Sequence, residues 1–250
     1  MCMKVNSDMN REQARRMLCF PLDVTSRAEA VEWVDRLKHS VGLFKVGLEL
    51  FTSEGPGVVE AIRERGADVF LDLKFHDIPN TVHGAASAAG RLGASILNVH
   101  ASGGAEMMRA ALEGAAEGAA ASNLPAPRVV AVTLLTSIDS GMLRQQMNVP
   151  LPTEEYVANL AGLAKAAGLH GVVASPHEGV AIVEKCGRDF LVITPGIRPG
   201  SASLDDQKRV MSPASAVRAG AGVLVVGRPI RNAEDPEAAA EGIVAEIAAA

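Results

Sequence analysis

The feature that most constrains this chain is an alternation. From Met17 onward, short apolar runs rich in Val, Leu and Ile are separated by stretches of helical period. The runs fall at residues 18–24, 43–47, 69–74, 95–99, 129–134, 171–174, 191–194 and 222–226. Between them lie amphipathic segments such as 28–39, 58–65, 106–121, 154–167 and 215–219, and the Ala-rich end, 236–250, sets Ile243, Val244 and Ile247 on one helical face. Strands joined through helices run parallel, because a parallel pair needs a long crossover. Repetition of the unit predicts an α/β chain closed into a (β/α)8 TIM barrel, with an open doubly wound sheet as the alternative. In such a barrel the reacting groups sit at the C-terminal ends of the strands and in the loops after them.

Composition narrows the class further. The 250 residues are 48% hydrophobic but only 3% aromatic, so Ala, Val, Leu and Ile must fill the core, as suits buried parallel strands. A net charge of -5 argues against nucleic acid or an anionic membrane as partner, but not against a local basic pocket. Cys2, Cys19 and Cys186 have neither CxxC spacing nor histidines at metal-ligand intervals, so no disulfide framework or metal site is expected. No apolar stretch reaches the roughly 18 residues of a membrane span. The expected product is a soluble, cytoplasmic protein. Residues 1–16 are polar and carry Arg11, Arg15 and Arg16 with no apolar segment behind them. They read as a leader, frayed or lying as a helix across the bottom of a single barrel domain, 17–250.

Charge intrudes into the apolar runs at few places. In Leu71-Asp72-Leu73-Lys74-Phe75, Asp72 and Lys74 are two apart and leave one face of the strand, while Leu71, Leu73 and Phe75 take the other. Asp77 follows on the loop, and Pro79 is suited to open the next helix. Lys45 in the second run must snorkel or find a carboxylate. Asp23 ends the first run. Taken singly, Asp72 and Lys74 read equally as a strand-end salt bridge, and Asp23 as a cap for the helix starting near Ser26. Together, three successive strands deliver ionisable groups to one rim. Pro195-Gly196-Ile197-Arg198 follows the seventh run and Gly227-Arg228-Pro229 the eighth, where phosphate sites of such barrels are often built. Residues 201–210, with Gln207, read as a polar flap. Thr136 and Ser137, past the fifth run, either bond a ligand or cap their loop. His76, His83 and His177 are expected to be structural.

These residues resemble the orotidine 5'-monophosphate decarboxylase family. Its D-x-K-x-x-D-I-P-x-T core is matched without a gap at residues 72–81, alongside F-K-V-G around Lys45, T-P-G-I-R ending at Arg198 and V-V-G-R ending at Arg228. The shorter D-x-K-x-x-D is shared with related sugar-phosphate decarboxylases and synthases. The resemblance implies cofactor-independent and metal-independent decarboxylation of orotidine 5'-monophosphate in pyrimidine biosynthesis. It implies an array of Lys45, Asp72, Lys74 and Asp77, with Lys74 the proton donor. Asp23 and Lys45 would meet the ribose, and Thr136 or Ser137 the pyrimidine. Arg198, Gln207, Gly227 and Arg228 would surround the phosphate. Asp77 and Thr81 would reach the partner subunit's site in a homodimer, and Ile78 would contact the substrate. The alternatives are a metal-dependent sugar-phosphate enzyme of the same barrel, a Schiff-base aldolase using Lys45 or Lys74, and a non-catalytic phosphometabolite binder.

Overall fold

The computed structural model describes residues 9–199 and 211–250. Gln207 and the expected flap at 201–210 lie outside the described residues. Eight parallel strands close into a barrel in chain order: β1 (Leu18–Pro21), β2 (Leu43–Gly47), β3 (Asp68–Phe75), β4 (Ile96–His100), β5 (Arg128–Val132), β6 (Gly171–Val173), β7 (Leu191–Pro195) and β8 (Val223–Val225). The ring shuts where Cys19 of β1 pairs with Val225 of β8. Cys19, Leu43, Phe70, Ile96, Val130, Ile193 and Val223, from seven different strands, form the packed barrel interior. The alternate residues, such as Phe20, Phe44, Leu71 and Leu97, pack outward against Val34, Val58, Ile62 and Met108 of the surrounding helices. The strands are therefore apolar on both faces, and a charged side chain has low-cost positions only near their ends.

Two expectations need correcting. The first strand stops at Pro21 rather than 24, so Asp23 stands on the loop beyond it, although the Leu22 N–H still reaches Lys45 O at 2.9 Å. The stretch 138–152, which the sequence predicts to be a long loop, is not all loop. Asp139 accepts from the Met142 N–H and caps a short helix, Ser140–Gln145, in residues whose Asp-Ser-Gly start resembles a turn. At the bottom, Arg11–Met17 is helical, with a capping box between Asn10 and Gln13 and with Ala14 buried. It lies against Gly42, where a β-carbon would stand 2.5 Å from Arg15 O.

Two packing features bear on the rim. The helices Pro79–Arg91 and Gly104–Ala121 touch backbone to backbone. β-Carbons at Gly90, Gly114 and Gly118 would fall 2.3, 2.2 and 1.9 Å from carbonyl oxygens of the facing helix. This seam seats the helix that begins directly after Asp77 and Ile78. On the far side, Arg231 donates to Asp23 O at 2.6 Å and Pro21 O at 2.8 Å, its guanidinium lying over Phe20 and Trp33. Gly227 packs on the Pro21 ring, so the turn after β8 is bound to the turn after β1. No helix among the described residues is long and apolar enough to cross a membrane.

Candidate active site

Four charges alternate in sign along the top of β1 to β3. Lys45 Nζ lies 3.5 Å from Asp23 Oδ1 and 3.4 Å from Asp72 Oδ2, and Lys74 Nζ lies 2.6 Å from Asp72 Oδ1. The Lys45 and Asp72 side chains are 14% and 12% exposed, so each ion finds its compensation in the next ion rather than in bulk water. Asp23 is the open end of the line. Asp72 is its hub, sharing its two oxygens between both ammonium groups.

Lys74 does not sit on a regular strand. Its φ is 52°, the left-handed region that costs a side-chain-bearing residue about 1–2 kcal/mol. The register with β4 shifts here: Leu71 faces Leu97, whereas Phe75 already faces Val99. The inward direction of Asp72 and Lys74 survives this bulge, because Leu71, Leu73 and Phe75 together line a groove on the outer, helix side. Asn98 of β4, 1% exposed, holds the irregular segment. Its Oδ1 accepts from the Lys74 N–H at 2.8 Å, and its Nδ2 donates to Asp72 Oδ1 at 2.6 Å. Reading the sequence misses Asn98. The available signal is an amide inside Ile96-Leu97-Asn98-Val99, on the same face of the strand as His100.

Above the array lies a cavity of about 220 Å³ lined by Lys45, Asp72, Lys74 and Thr136 and walled by Phe70, Val132, Val173 and Val225. A second, of about 200 Å³, shares Lys45, Pro195 and Val225 with the first and extends between Asp23, Arg198, Gly227 and Arg228. The two form one bent cleft, charged along one wall and apolar on the other. Gly196, with φ 78°, makes the sharp turn that leads from β7 into Ile197 and the buried Arg198, whose N–H donates to Met211 O at 3.1 Å. Arg228 is exposed at the cleft's outer end.

Of the residues expected in the site, Asp23, Lys45, Asp72, Lys74, Thr136, Arg198, Gly227 and Arg228 meet at this cleft. Ser137 does not line it. Asp77, Ile78 and Thr81 stand outside it on the exposed rim, Ile78 at 67% exposure. The Asp77 carboxylate accepts from the Ile78 N–H, and Asp77 forms no ion pair among the described residues. His100 stacks on His76, ring centroids 5.3 Å apart, beside the array. Burial, and then the neighbouring His76 and Lys74, push the His100 imidazole below its usual pKa. Beneath the array, burial raises the Cys19 thiol far above the range of a reactive thiolate.

Residues 16–243 match the model of the Orotidine 5'-phosphate decarboxylase / HUMPS family. The chain belongs to this family. It is 53% identical to the orotidine 5'-phosphate decarboxylase of Moorella thermoacetica, over 96% of this chain and 95% of that one. It is 55% identical to that of Syntrophotalea carbinolica, over 95% and 97% of the two chains. Among solved structures, the orotidine 5'-phosphate decarboxylase of Lactobacillus acidophilus superposes with a TM-score of 0.81 at 39% identity, covering 92% of this chain and 98% of that one. The fold this chain shares with that structure is the closed barrel found here.

Proposed function

We propose that in this decarboxylase the alternating line Asp23–Lys45–Asp72–Lys74 carries the chemistry and the Gly227–Arg228 turn holds the phosphate. The reaction is the conversion of orotidine 5'-monophosphate to uridine 5'-monophosphate, a step of pyrimidine biosynthesis. Breaking the bond from C6 to the carboxylate releases CO2 and leaves the electron pair on C6, with no conventional sink for it. The Lys74 ammonium, aimed by its 2.6 Å contact with Asp72, stabilises that pair and then transfers its proton to C6. Solvent restores the lysine's proton after release. Asp72 places negative charge beside the departing carboxylate, a repulsion relieved as CO2 leaves. Lys45 bridges Asp72 to Asp23, and Lys45 and Asp23 together meet the ribose hydroxyls. Thr136, across the cleft, faces the pyrimidine, with Ser137 next to it in the chain. Arg198 and Arg228 flank the phosphate end, with Gln207 assigned to the same group, and binding free energy from this remote end is available to order the reacting centre. The observation that carries this reading is the unbroken alternation of charge along one wall of the cleft. A metal-dependent sugar-phosphate reaction is the less favoured reading, since the relatives at about half identity are named decarboxylases.

The same reading makes the enzyme a cytoplasmic homodimer in which Asp77, Ile78 and Thr81 complete the partner's site. Asp77, without an ion pair among the described residues, and Ile78 exposed beside it support that placement. The test mixes two inactive variants, Lys74→Ala and Asp77→Ala, under subunit exchange. Action in trans regenerates one intact site per mixed dimer, so activity returns up to half the wild-type value. No recovery, with exchange confirmed separately, means that Asp77 serves its own subunit. Full turnover by folded Lys74→Ala would remove Lys74 from the mechanism.

A further inference from the structure

We infer that Asn98 is a positioning residue for the proton-transferring pair, acting through Asp72 and Lys74 without touching substrate. The inference rests on the reading of Lys74 as proton donor. A primary amide inside an apolar barrel is costly unless both of its ends are bonded. Asn98 is 1% exposed and its two ends go to the same two-residue interval of β3. The orientation of the amide is set by chemistry. A backbone N–H can only donate, so Oδ1 faces Lys74, and a carboxylate can only accept, so Nδ2 faces Asp72. One side chain therefore fixes the carboxylate that aims the ammonium. It also satisfies the N–H of the lysine's own left-handed backbone, φ 52°, where the ladder to β4 is interrupted. Removing it frees both ends of the 2.6 Å Asp72–Lys74 contact at once.

This arrangement makes the two ends of the amide separable. Asn98→Ala removes both bonds. Asn98→Asp keeps an acceptor for the Lys74 N–H but sets a second carboxylate against Asp72 Oδ1, where Nδ2 now stands at 2.6 Å. Two carboxylates that close cannot both stay ionised, and a single shared proton recreates a donor toward Asp72. The charged and titratable groups around that point are Lys45 from β2, Lys74 on β3, His100 further along β4, and Asp23 through Lys45.

The experiment measures kcat and KM from pH 5 to 9, with thermal unfolding, for wild type, Asn98→Ala, Asn98→Asp and Lys74→Ala. Asn98→Ala should lower kcat by about ten- to hundredfold, the scale of a hydrogen bond to a charged group, with KM changed by less than about threefold. The phosphate grip at Arg228 is untouched. Asn98→Asp should be slow at neutral pH and gain kcat as the pH falls, a rise that wild type lacks. Wild-type kcat in folded Asn98→Ala overturns the inference. So does a loss confined to the melting temperature and KM, with pH profiles parallel to wild type. If Asn98→Ala does not fold, the profile of Asn98→Asp decides alone. Full activity in Lys74→Ala would instead overturn the underlying mechanism, whereas inactive Lys74→Ala beside unimpaired Asn98 variants overturns only the role of Asn98.

Discussion

Replacing Asp72 by Asn changes almost no volume but removes the hub of the charged line. In the wild-type protein its oxygens face Lys74 Nζ at 2.6 Å, Asn98 Nδ2 at 2.6 Å and Lys45 Nζ at 3.4 Å, all three of them donors. The variant amide offers one acceptor oxygen and turns an NH2 toward at least one of those donors, leaving two ammonium groups without their shared counter-ion. Breaking a buried pair costs about 3–5 kcal/mol when the stranded charge has no access to water. Lys74, with a side chain 29% exposed, can recover part of its hydration, and Lys45, at 14%, much less. The expected loss is therefore lower, about 2–3 kcal/mol. At roughly 2–4 °C per kcal/mol for a domain of this size, the melting temperature falls by about 4–12 °C. Turnover falls further than stability does, by roughly 10²–10³-fold, because the ammonium loses its preorganised direction. Calorimetry gives the first quantity, and loss of pyrimidine absorbance on decarboxylation, followed at saturating substrate, gives the second. Asp77→Asn is the control, since its exposed carboxylate forms no ion pair among the described residues and the amide oxygen can still accept from the Ile78 N–H, and it should leave the melting temperature unchanged. An Asp72→Asn enzyme that melts with wild type would show that the line is not electrostatically coupled, and the reasoning from alternation would fall with it.

Three further outcomes are expected. Arg228→Ala should lower kcat/KM by roughly ten- to 150-fold and much less on a substrate lacking the phosphate; equal losses on both would place Arg228 away from the phosphate. His100 has a lowered folded pKa, so between that value and its ordinary 6.5 the unfolded chain binds more protons and stability declines as the pH falls through this window. His100→Asn should flatten that slope in denaturant titrations, and an unaltered slope would mean that His100 is not its source. Gly118→Ala places a methyl group 1.9 Å from Ser87 O and should cost about 1–3 kcal/mol by overpacking, with kcat preserved in the folded fraction; an unchanged midpoint in urea would show that the helix seam can open freely.

The barrel and most of the cleft were legible because they follow from period. Apolar runs of strand length separated by helical segments admit few architectures, and the parity of Asp72 and Lys74 points both residues inward. What parity could not show is the backbone of Lys74. Nothing in Leu73-Lys74-Phe75 carries the glycine or asparagine that usually marks a left-handed residue, and the Lys74 N–H is held instead by Asn98 from the next strand. Asn98 itself was invisible for a related reason: a lone amide in an apolar strand has meaning only through the partners that the closed barrel brings to it. Gly90, Gly114 and Gly118 look like weak points in Ala-rich helices until the two helices are laid together. The apolar pattern continued by Leu22 and Val24 predicts Asp23 on the strand, although the pairing stops at Pro21.

The bonds from Arg231 to the carbonyls of Pro21 and Asp23 also set an order of events during synthesis. The turn after β1 is among the first parts of the barrel to leave the ribosome. The guanidinium that fastens it, and the turn after β8 joined to it through Gly227 and the Pro21 ring, emerge almost last. A growing chain, or one truncated before β8, therefore has neither the Gly227–Arg228 turn nor a fixed turn after β1. On the proposed placement of ribose and phosphate, such fragments would not sequester nucleotide, and affinity for the substrate would arrive in one step with the closure of the ring.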